Sequence, residues 1–253
     1  MTTGPLLSED VLMTVPAEPS AKEFARLARE LAELHGVLPT VEGVVHRAVE
    51  VVPCDWAAVA VTDHLTRRPA RLSAANDADL AAVVADIAGR HGASPGIEAF
   101  LSCRTVVVHD LARDDRFPGY AAEMVATTPV RSVVSHSLRL GRTVVGVMSC
   151  YARCPDLFDE AAVERARLLA DHAAVAIELA VAEDRADNLQ AALQRSRSIG
   201  AAVGILVERY RLTPDDAFAL LSRLSQDHNR KVADVAAQLL ETGTVPGLER
   251  HVS

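Results

Sequence analysis

The sequence predicts an α+β protein in which an antiparallel sheet carrying helices is followed by a long coiled-coil helix and a C-terminal three-helix bundle. Two β-branched runs joined at Gly141-Arg142 predict the sheet, because glycine suits the tight turn of a hairpin. The absence of proline between residues 159 and 213 predicts the long helix. Two shorter helical patterns from Pro214 onward complete the bundle. Such segregation of strands and helices is typical of α+β proteins.

The composition is that of a soluble globular protein, with 49% hydrophobic, 24% charged and only 4% aromatic residues, so the core is expected to be aliphatic. The length of 253 residues suits two domains. Residues 1–19 are expected to be disordered, and Glu9 and Asp10 stand where a signal peptide would carry basic residues. No stretch stays apolar for the roughly 18 residues of a membrane span. We therefore expect a cytoplasmic protein with no membrane partner.

The first predicted domain covers residues 20–180. A capping box at Ser20 and Glu23 starts one helix, which is expected to end at Gly36, and a second helix is expected from Thr40. The patterns further along predict strands at residues 56–61, 68–76 and 104–110, a helix at 77–90, a polar loop after residue 110 and the hairpin within 132–151. The predicted sheet is therefore antiparallel, with helices packed on it.

The long helix carries an apolar stripe with the heptad rhythm of a coiled coil. Steps of four and three residues connect Leu168, His172, Val175, Leu179, Ala182, Ala186, Leu189, Leu193, Ser196, Gly200 and Val203. We expect a parallel homodimer whose interface includes Leu179, Leu189 and Leu193. Several positions of the stripe are small or polar, so the alternative of a long helix that packs only on its own domain stays open.

The last predicted region comprises the linker helix and bundle at residues 181–243 and a tail at 244–253. Thr213 followed by Pro214 is typical of a helix N-terminus, since the threonine hydroxyl caps a free N–H and proline fits the first turn. The apolar face of this helix is expected to consist of Ala217, Phe218, Leu221 and Leu224. Asn229 is expected to interrupt the pattern, and a third helix runs to Gly243.

The net charge of −8 is unevenly distributed. Residues 188–253 hold eight Arg and Lys against seven Asp and Glu, which leaves +1 there and −9 in the rest of the chain. Nearly all the cations are arginines, a residue that suits bidentate contacts to phosphates and bases. A GC-rich coding sequence would produce the same bias.

A metal site is not expected from the cysteines and histidines. Cys54, Cys103, Cys150 and Cys154 are interpreted as reduced core thiols of a cytoplasmic protein. Cys150 and Cys154 are four residues apart, but no second Cys or His pair stands nearby with the spacing of metal ligands, so no metal site is predicted. The histidines His91, His109 and His136 have side chains that can ligate or hydrogen-bond a cofactor, but they are interpreted as ordinary loop or surface residues.

Residues 188–243 resemble the ANTAR domain, the RNA-binding output module of bacterial transcription antiterminators. The matching positions are Ile199, Ala202, Gly204, Ile205, Leu206, Ala217, Phe218, Leu221, Ser225, Asn229, Arg230, Lys231, Val235 and Ala236. Two positions depart from the family pattern. Val203 stands where the family usually has lysine, and Ala233 where it has arginine, so two polar RNA-facing candidates are missing.

Residues 36–180 resemble a GAF sensor domain of the actinobacterial type that is found fused to ANTAR. The resemblance rests on the order and spacing of five stretches: CDWAAVAV, ASPGIEAF, DLARDDRFPGY, VRSVVSHSLRL and DHAAVAIELA. Gly96 replaces a cysteine that the family often has, and Ser137 replaces a proline of the hairpin strand. A small-molecule ligand in this domain is implied, but its cofactor class is unknown because the fold says little about the ligand.

The resemblance implies that the corner between the last two helices contacts RNA stem-loops in nascent transcripts. The candidate RNA-binding residues are Arg197, Arg223, Ser225, Gln226, Asn229, Arg230 and Lys231. Amide and guanidinium groups suit unpaired loop bases, because the deep major groove of duplex RNA is closed to side chains. The alternative is that Ser225 and Asn229 only cap helices and that the two basic residues are solvated.

Two other classes of function stay open. A sensor or dimeric protein-interaction module whose bundle has lost or altered RNA binding is consistent with the missing lysine at position 203. An enzyme would need a nucleophile beside a base, or paired carboxylates in a cleft, and the sequence presents no such arrangement in a family-like context. We therefore expect a regulator and not an enzyme.

Overall fold

The computed structural model of the chain describes residues 21–62 and 74–248 and confirms the mixed α+β class. The chain divides between Val181 and Ala182 into two compact units. The predicted disordered segment 1–19 and the capping box at Ser20 and Glu23 lie outside the described residues and side chains. No helix among the described residues is long and apolar enough to cross a membrane.

The first unit is built on a five-stranded antiparallel sheet. Its strands are β1 (Trp56–Val61), β2 (Ala74–Ala75), β3 (Val106–Val108), β4 (Ser132–Leu140) and β5 (Thr143–Ala152), in the order β2-β1-β5-β4-β3. The turn between β4 and β5 has Gly141 at a φ of 59°, a left-handed conformation that glycine adopts without a Cβ clash. The predicted hairpin is therefore confirmed.

One face of the sheet packs on α1 (Ala21–Ala32), α2 (Val37–Val51) and the first turns of the long helix. Alternation along the strands sends Val59 of β1 and Met148 of β5 into this core. The second helix begins at Val37, three residues before its predicted start. Proline at position 39 lies in the first turn, where the missing N–H would have no partner within the helix, so it does not delay the start.

The other face packs on α3 (Ala78–His91), α4 (Pro95–Ser102) and α5 (Pro118–Thr127). The first of these confirms the helix predicted over 77–90, with Asp77 as its N-cap. The other two were missing from the sequence-based prediction, since each is short and lacks a repeated apolar period. Their starts are nevertheless encoded, because each has proline in the first turn and Ser94 caps α4 by accepting from the N–H of Ile97.

The long helix, α6, runs from Glu160 to Tyr210 and confirms the predicted uninterrupted helix. Its early turns bury one side against the sheet, where Leu169 and Ile177 belong to the core. The predicted heptad stripe lies on a different side, where Val175 and Leu179 are exposed.

The second unit continues with α7 (Pro214–Asp227) and α8 (Val232–Thr242). Thr213 caps α7 as predicted, accepting from the N–H of Asp216, and Gly243 caps α8. The bundle core consists of Ala202, Leu206, Ala217, Leu220, Leu221, Leu224, Val235, Ala236, Leu239, Val245 and Leu248. Phe218 was predicted on the buried face of α7 but is 48% exposed, and Leu220 is buried instead. Val245 and Leu248 belong to this core although their sequence region was expected to be a tail.

Candidate functional site

The corner between α7 and α8 is held by contacts between its own residues. Ser225 is buried, and its hydroxyl donates to the carbonyl oxygen of Arg230. The N–H of Arg230 donates back to the carbonyl oxygen of Ser225 over 2.9 Å. Ser225, a candidate RNA-binding residue, therefore supports the corner from inside.

Asn229 adopts the left-handed conformation that this corner requires. Its φ is 49°, and its N–H donates to the carbonyl oxygen of Gln226 over 3.1 Å. Asparagine tolerates this conformation better than most residues with a Cβ, which gives the position a structural reason for its residue type. Asn229 and Gln226 are exposed, so both amides are accessible from solvent.

The basic candidates differ in the hydrogen bonds that their side chains make with the protein. The guanidinium of Arg230 donates to Oε1 of Gln238 and, over 3.4 Å, to the carbonyl oxygen of Asp234. Lys231 is the N-cap residue of α8, but its side chain makes no capping hydrogen bond and is exposed. Arg197 on α6 and Arg223 on α7 are exposed as well. Among the basic candidates of the corner, Lys231 is thus the simpler one to test.

The two residues that depart from the ANTAR pattern are both partly buried. Val203 is partly buried and packs against the core of the bundle, and Ala233 on α8 is also partly buried. These two side chains offer neither charge nor hydrogen bonds for an RNA contact.

The predicted dimer residues lie on an uncovered stripe of α6. Leu179, Leu189 and Leu193 are 45%, 63% and 52% exposed. Every residue from 182 to 197 is exposed. The heptad positions of this stretch are therefore available for a partner helix.

The first unit contains a cavity of about 600 Å³ between the sheet and the helices α3, α4 and α5. Small residues create it, because Ala58 and Ala60 of β1 face Ala81, Ala85 and Ala88 of α3 across the gap. The sequence analysis did not identify this cavity. The signal was present in the WAAVAV strand, where alternate positions on one face are alanine.

The polar groups of the cavity are hydroxyls. Ser94, Ser149, Tyr120 and Tyr151 line it, and the Ser149 hydroxyl lies 2.7 Å from that of Ser135. Burial raises the pKa of Tyr151 to about 12 and raises that of Tyr120 well above its usual value, so both phenols are neutral hydrogen-bonding groups. Among the described residues that line the cavity, none is charged.

The histidines differ from the sequence-based interpretation at one position. His136 is not a loop or surface residue, because it lies on the inner strand β4, between β5 and β3, and is only 2% exposed. His109 is on the surface, with its Nδ1 3.9 Å from a carboxylate oxygen of Asp156. His91 is partly exposed, and its Nε2 lies 2.8 Å from a carboxylate oxygen of Glu123.

The four cysteines are free thiols, and Cys150 is buried in the core as predicted. The prediction of a core thiol is wrong for Cys154, which is exposed because it follows the end of β5. A hydrogen bond with the Cys54 thiol and burial raise the pKa of Cys150 well above its usual value. In the described part of the chain, no cluster of three or more His, Cys, Asp or Glu side chains could hold a metal ion.

Both units of the chain match known protein domain families. The model of the GAF domain matches residues 37–177, and that of the ANTAR domain matches residues 187–240. No match is found among curated proteins.

Several solved structures resemble the chain. The GAF domain from a phosphoenolpyruvate-protein phosphotransferase of Coxiella burnetii is 14% identical, with 65% of this chain and 95% of that chain covered and a TM-score of 0.51. The corresponding domain from Acinetobacter is 16% identical, with coverages of 63% and 92% and a TM-score of 0.49. The free methionine-R-sulfoxide reductase of Neisseria meningitidis is 14% identical, with coverages of 63% and 89% and a TM-score of 0.49. Identities this low indicate similarity of fold alone. The GAF match spans more than half of the residues, so the chain belongs to the GAF family and carries an ANTAR domain at its C-terminal end.

Proposed function

We propose that this protein is a cytoplasmic, signal-responsive transcription antitermination regulator, in which the ANTAR domain binds stem-loop RNA and the GAF domain senses a small molecule. The observation that carries the proposal is that the ANTAR match includes a corner whose amide and basic side chains are exposed. Both matched domains are regulatory, which supports a regulator and not an enzyme.

The candidate RNA-binding residues divide into groups that would read RNA and groups that would position it. Asn229 and Gln226 expose amides, which suit the edges of unpaired loop bases. Lys231, Arg223 and Arg197 expose cations, which suit phosphates. Arg230 and Ser225 shape the corner, because their polar groups already have protein partners.

The regulator is proposed to act as a homodimer through α6. Exposed leucines at heptad spacing support this proposal, because water-exposed leucines on a helix gain free energy when a second helix covers them. A dimer would also present two copies of the corner to one RNA, so a paired stem-loop target is expected.

The GAF cavity is proposed to bind a neutral, largely apolar molecule. Its lining supplies aliphatic surface, the three aromatic rings of Phe100, Tyr120 and Tyr151, and hydroxyls, but no charge among the described residues. Burying an unpaired charge there would be costly. The cavity therefore favours a ring system or acyl chain with one or two hydrogen-bonding groups.

The RNA-binding proposal is tested by sequencing the RNA that copurifies with the full-length protein and measuring the affinity of an enriched stem-loop against salt. Lys231→Ala should weaken binding to every stem-loop similarly and reduce the slope of the salt dependence by about one unit. Arg142→Ala provides a matched loss of one positive charge in the exposed hairpin turn, and should leave binding unchanged.

Base reading is tested with Asn229→Gly, since glycine keeps the left-handed turn and removes the side chain with its amide. Affinity for the preferred loop should fall by about 1–3 kcal/mol, and affinity for a scrambled loop much less. An unchanged ratio would limit Asn229 to shaping the corner. If no stem-loop is enriched or bound, the protein is instead a sensor or dimeric interaction module whose ANTAR domain has lost RNA binding.

The ligand proposal is tested with two fluorescent probes that share one ring system, the neutral N-phenyl-1-naphthylamine and the anionic 1-anilinonaphthalene-8-sulfonate. The neutral probe should bind more tightly. Ala88→Phe should abolish its binding by filling the cavity, whereas Val83→Phe adds the same ring on α3 outside the cavity and should preserve it. Equal binding to both variants would place the probe elsewhere.

A further inference from the structure

A second cavity lies on the opposite side of the sheet from the GAF cavity. It has a volume of about 400 Å³ and is bounded by residues 103–105, the β4–β5 hairpin and α6. His136 of β4 lines it, whereas the neighbouring Ser135 bonds to Ser149 on the face of the first cavity. Because successive strand residues point to opposite faces, the two cavities are separate.

The lining of this second cavity is cationic. Arg104, Arg139 and Arg167 line it, and among the described lining residues Asp171 supplies the one carboxylate. The charge of Arg167 is paired with the carboxylates of Asp171 and Glu164, each at 2.7 Å. The charges without such compensation are therefore those of Arg104 and Arg139.

The Arg139 guanidinium is held in place by backbone acceptors. It donates to the carbonyl oxygens of Cys103 and Gly141 over 3.2 and 3.1 Å. Carbonyls fix its position without removing its charge. Among the described contacts, neither Arg139 nor Arg104 forms an ion pair with a carboxylate.

His136 adds a buried polar atom that lacks a partner. Its Nδ1 lies 2.8 Å from the Thr105 hydroxyl, and its Nε2 is buried with no hydrogen-bond partner within the described residues. Burial and the nearby charge of Arg167 lower the pKa of His136 to about 4, so the ring is neutral near pH 7. If the Thr105 hydroxyl donates to Nδ1, the proton lies on Nε2, which then offers a donor. Leaving such a group unpaired is costly, and an acceptor would remove that cost.

We propose that this second cavity binds a small oxyanion, a molecule carrying a carboxylate or phosphate group, through Arg104, Arg139 and Nε2 of His136. All three offer hydrogen-bond donors, and the two guanidiniums also supply charge and planar geometry that match an oxyanion. The anion would compete with the carboxylates that hold Arg167 on α6. Binding would therefore change the ion pairs of this helix independently of the GAF cavity.

The test is a titration of the full-length protein with inorganic phosphate and, separately, with acetate, at ionic strength held constant with chloride. The readout is the ¹⁵N chemical shift of the His136 ring, assigned with His136→Asn, so that phosphate bound at the RNA-binding corner does not interfere. At least one of the two anions should shift the His136 signals saturably, and the one that binds more tightly identifies the oxyanion class.

Three variants make the test specific. Arg104→Gln should weaken binding about tenfold, because a hydrogen bond to a charged group is lost, and Arg104→Lys should restore part of it. Arg142→Gln removes an equal charge from the β4–β5 hairpin outside the cavity and should have no effect. The proposal is overturned if neither anion shifts the His136 signals, or if Arg104→Gln and Arg142→Gln weaken binding equally.

Discussion

Replacing Leu189 and Leu193 together by glutamate should convert the proposed homodimer into monomers. These residues are 63% and 52% exposed in one copy of the chain, so their uncovered parts add up to a little more than one leucine side chain. A symmetric dimer would bury a little more than two. At about 2 kcal/mol for each buried leucine, the two substitutions remove about 5 kcal/mol of association free energy. That corresponds to a rise in Kd on the order of a thousandfold, before repulsion between the new carboxylates is added.

Light scattering and sedimentation over a series of protein concentrations measure this change. The matched control is the double variant Leu38→Glu and Leu101→Glu, which introduces the same charge at leucines that are 56% and 73% exposed outside α6. The control should remain dimeric. If the α6 variant stays dimeric at the same concentrations, the interface lies elsewhere, for example between the GAF domains.

Three further predictions concern stability. Gly146→Ala should lower the unfolding free energy by about 1–3 kcal/mol, because a Cβ at position 146 would clash with the carbonyl oxygen of Ala60. Urea denaturation measures this change. An unchanged midpoint would contradict the close approach of β1 and β5. Ser225→Ala should lower the unfolding free energy of the bundle by about 1–3 kcal/mol, because the Arg230 carbonyl loses its hydroxyl donor, and a neutral result would mean that this bond contributes nothing. His136, whose pKa is lowered from 6.5 to about 4, takes up a proton more readily in the unfolded chain, so about 3 kcal/mol of stability should be lost as the pH falls through this window. His136→Asn should flatten that pH dependence, and an equally steep loss in the variant would assign it to other groups.

Most of the fold features that were predicted correctly depend on short stretches of sequence. The hairpin at Gly141 and the helix start at Thr213 depend on a turn conformation and a cap, both of which a few neighbouring residues determine. The short helices α4 and α5 were missed because tertiary packing, not a long periodic pattern, stabilises them. Tertiary packing also explains why Phe218 was wrongly predicted to be buried. Its spacing fits the apolar stripe of α7, but the bundle buries Leu220 and leaves Phe218 exposed.

The candidate site was predictable only in part. Resemblance to ANTAR identified the corner, but its residue types do not reveal that Ser225 points inward and that Arg230 is tied to Gln238. The two cavities depend on residues far apart in sequence, such as Ala60 with Ala88 and Arg104 with Arg167. Burial of His136 has the same origin, because the strand pattern does not tell which histidine a helix will cover.

The solvent-exposed middle of α6 has a consequence for local unfolding. In a single chain, residues 182–197 have no buried side chain, so their helix is held by backbone hydrogen bonds and by continuity with its ends. Isolated helices of such length are marginal in water. We expect this stretch to exchange amide hydrogens quickly in the monomer, with trypsin cutting at Arg185, Arg195 and Arg197, and both processes to slow on dimerisation. Helix formation here would then be coupled to association, and any signal that shifts the monomer–dimer equilibrium would also set the proteolytic lifetime of the regulator.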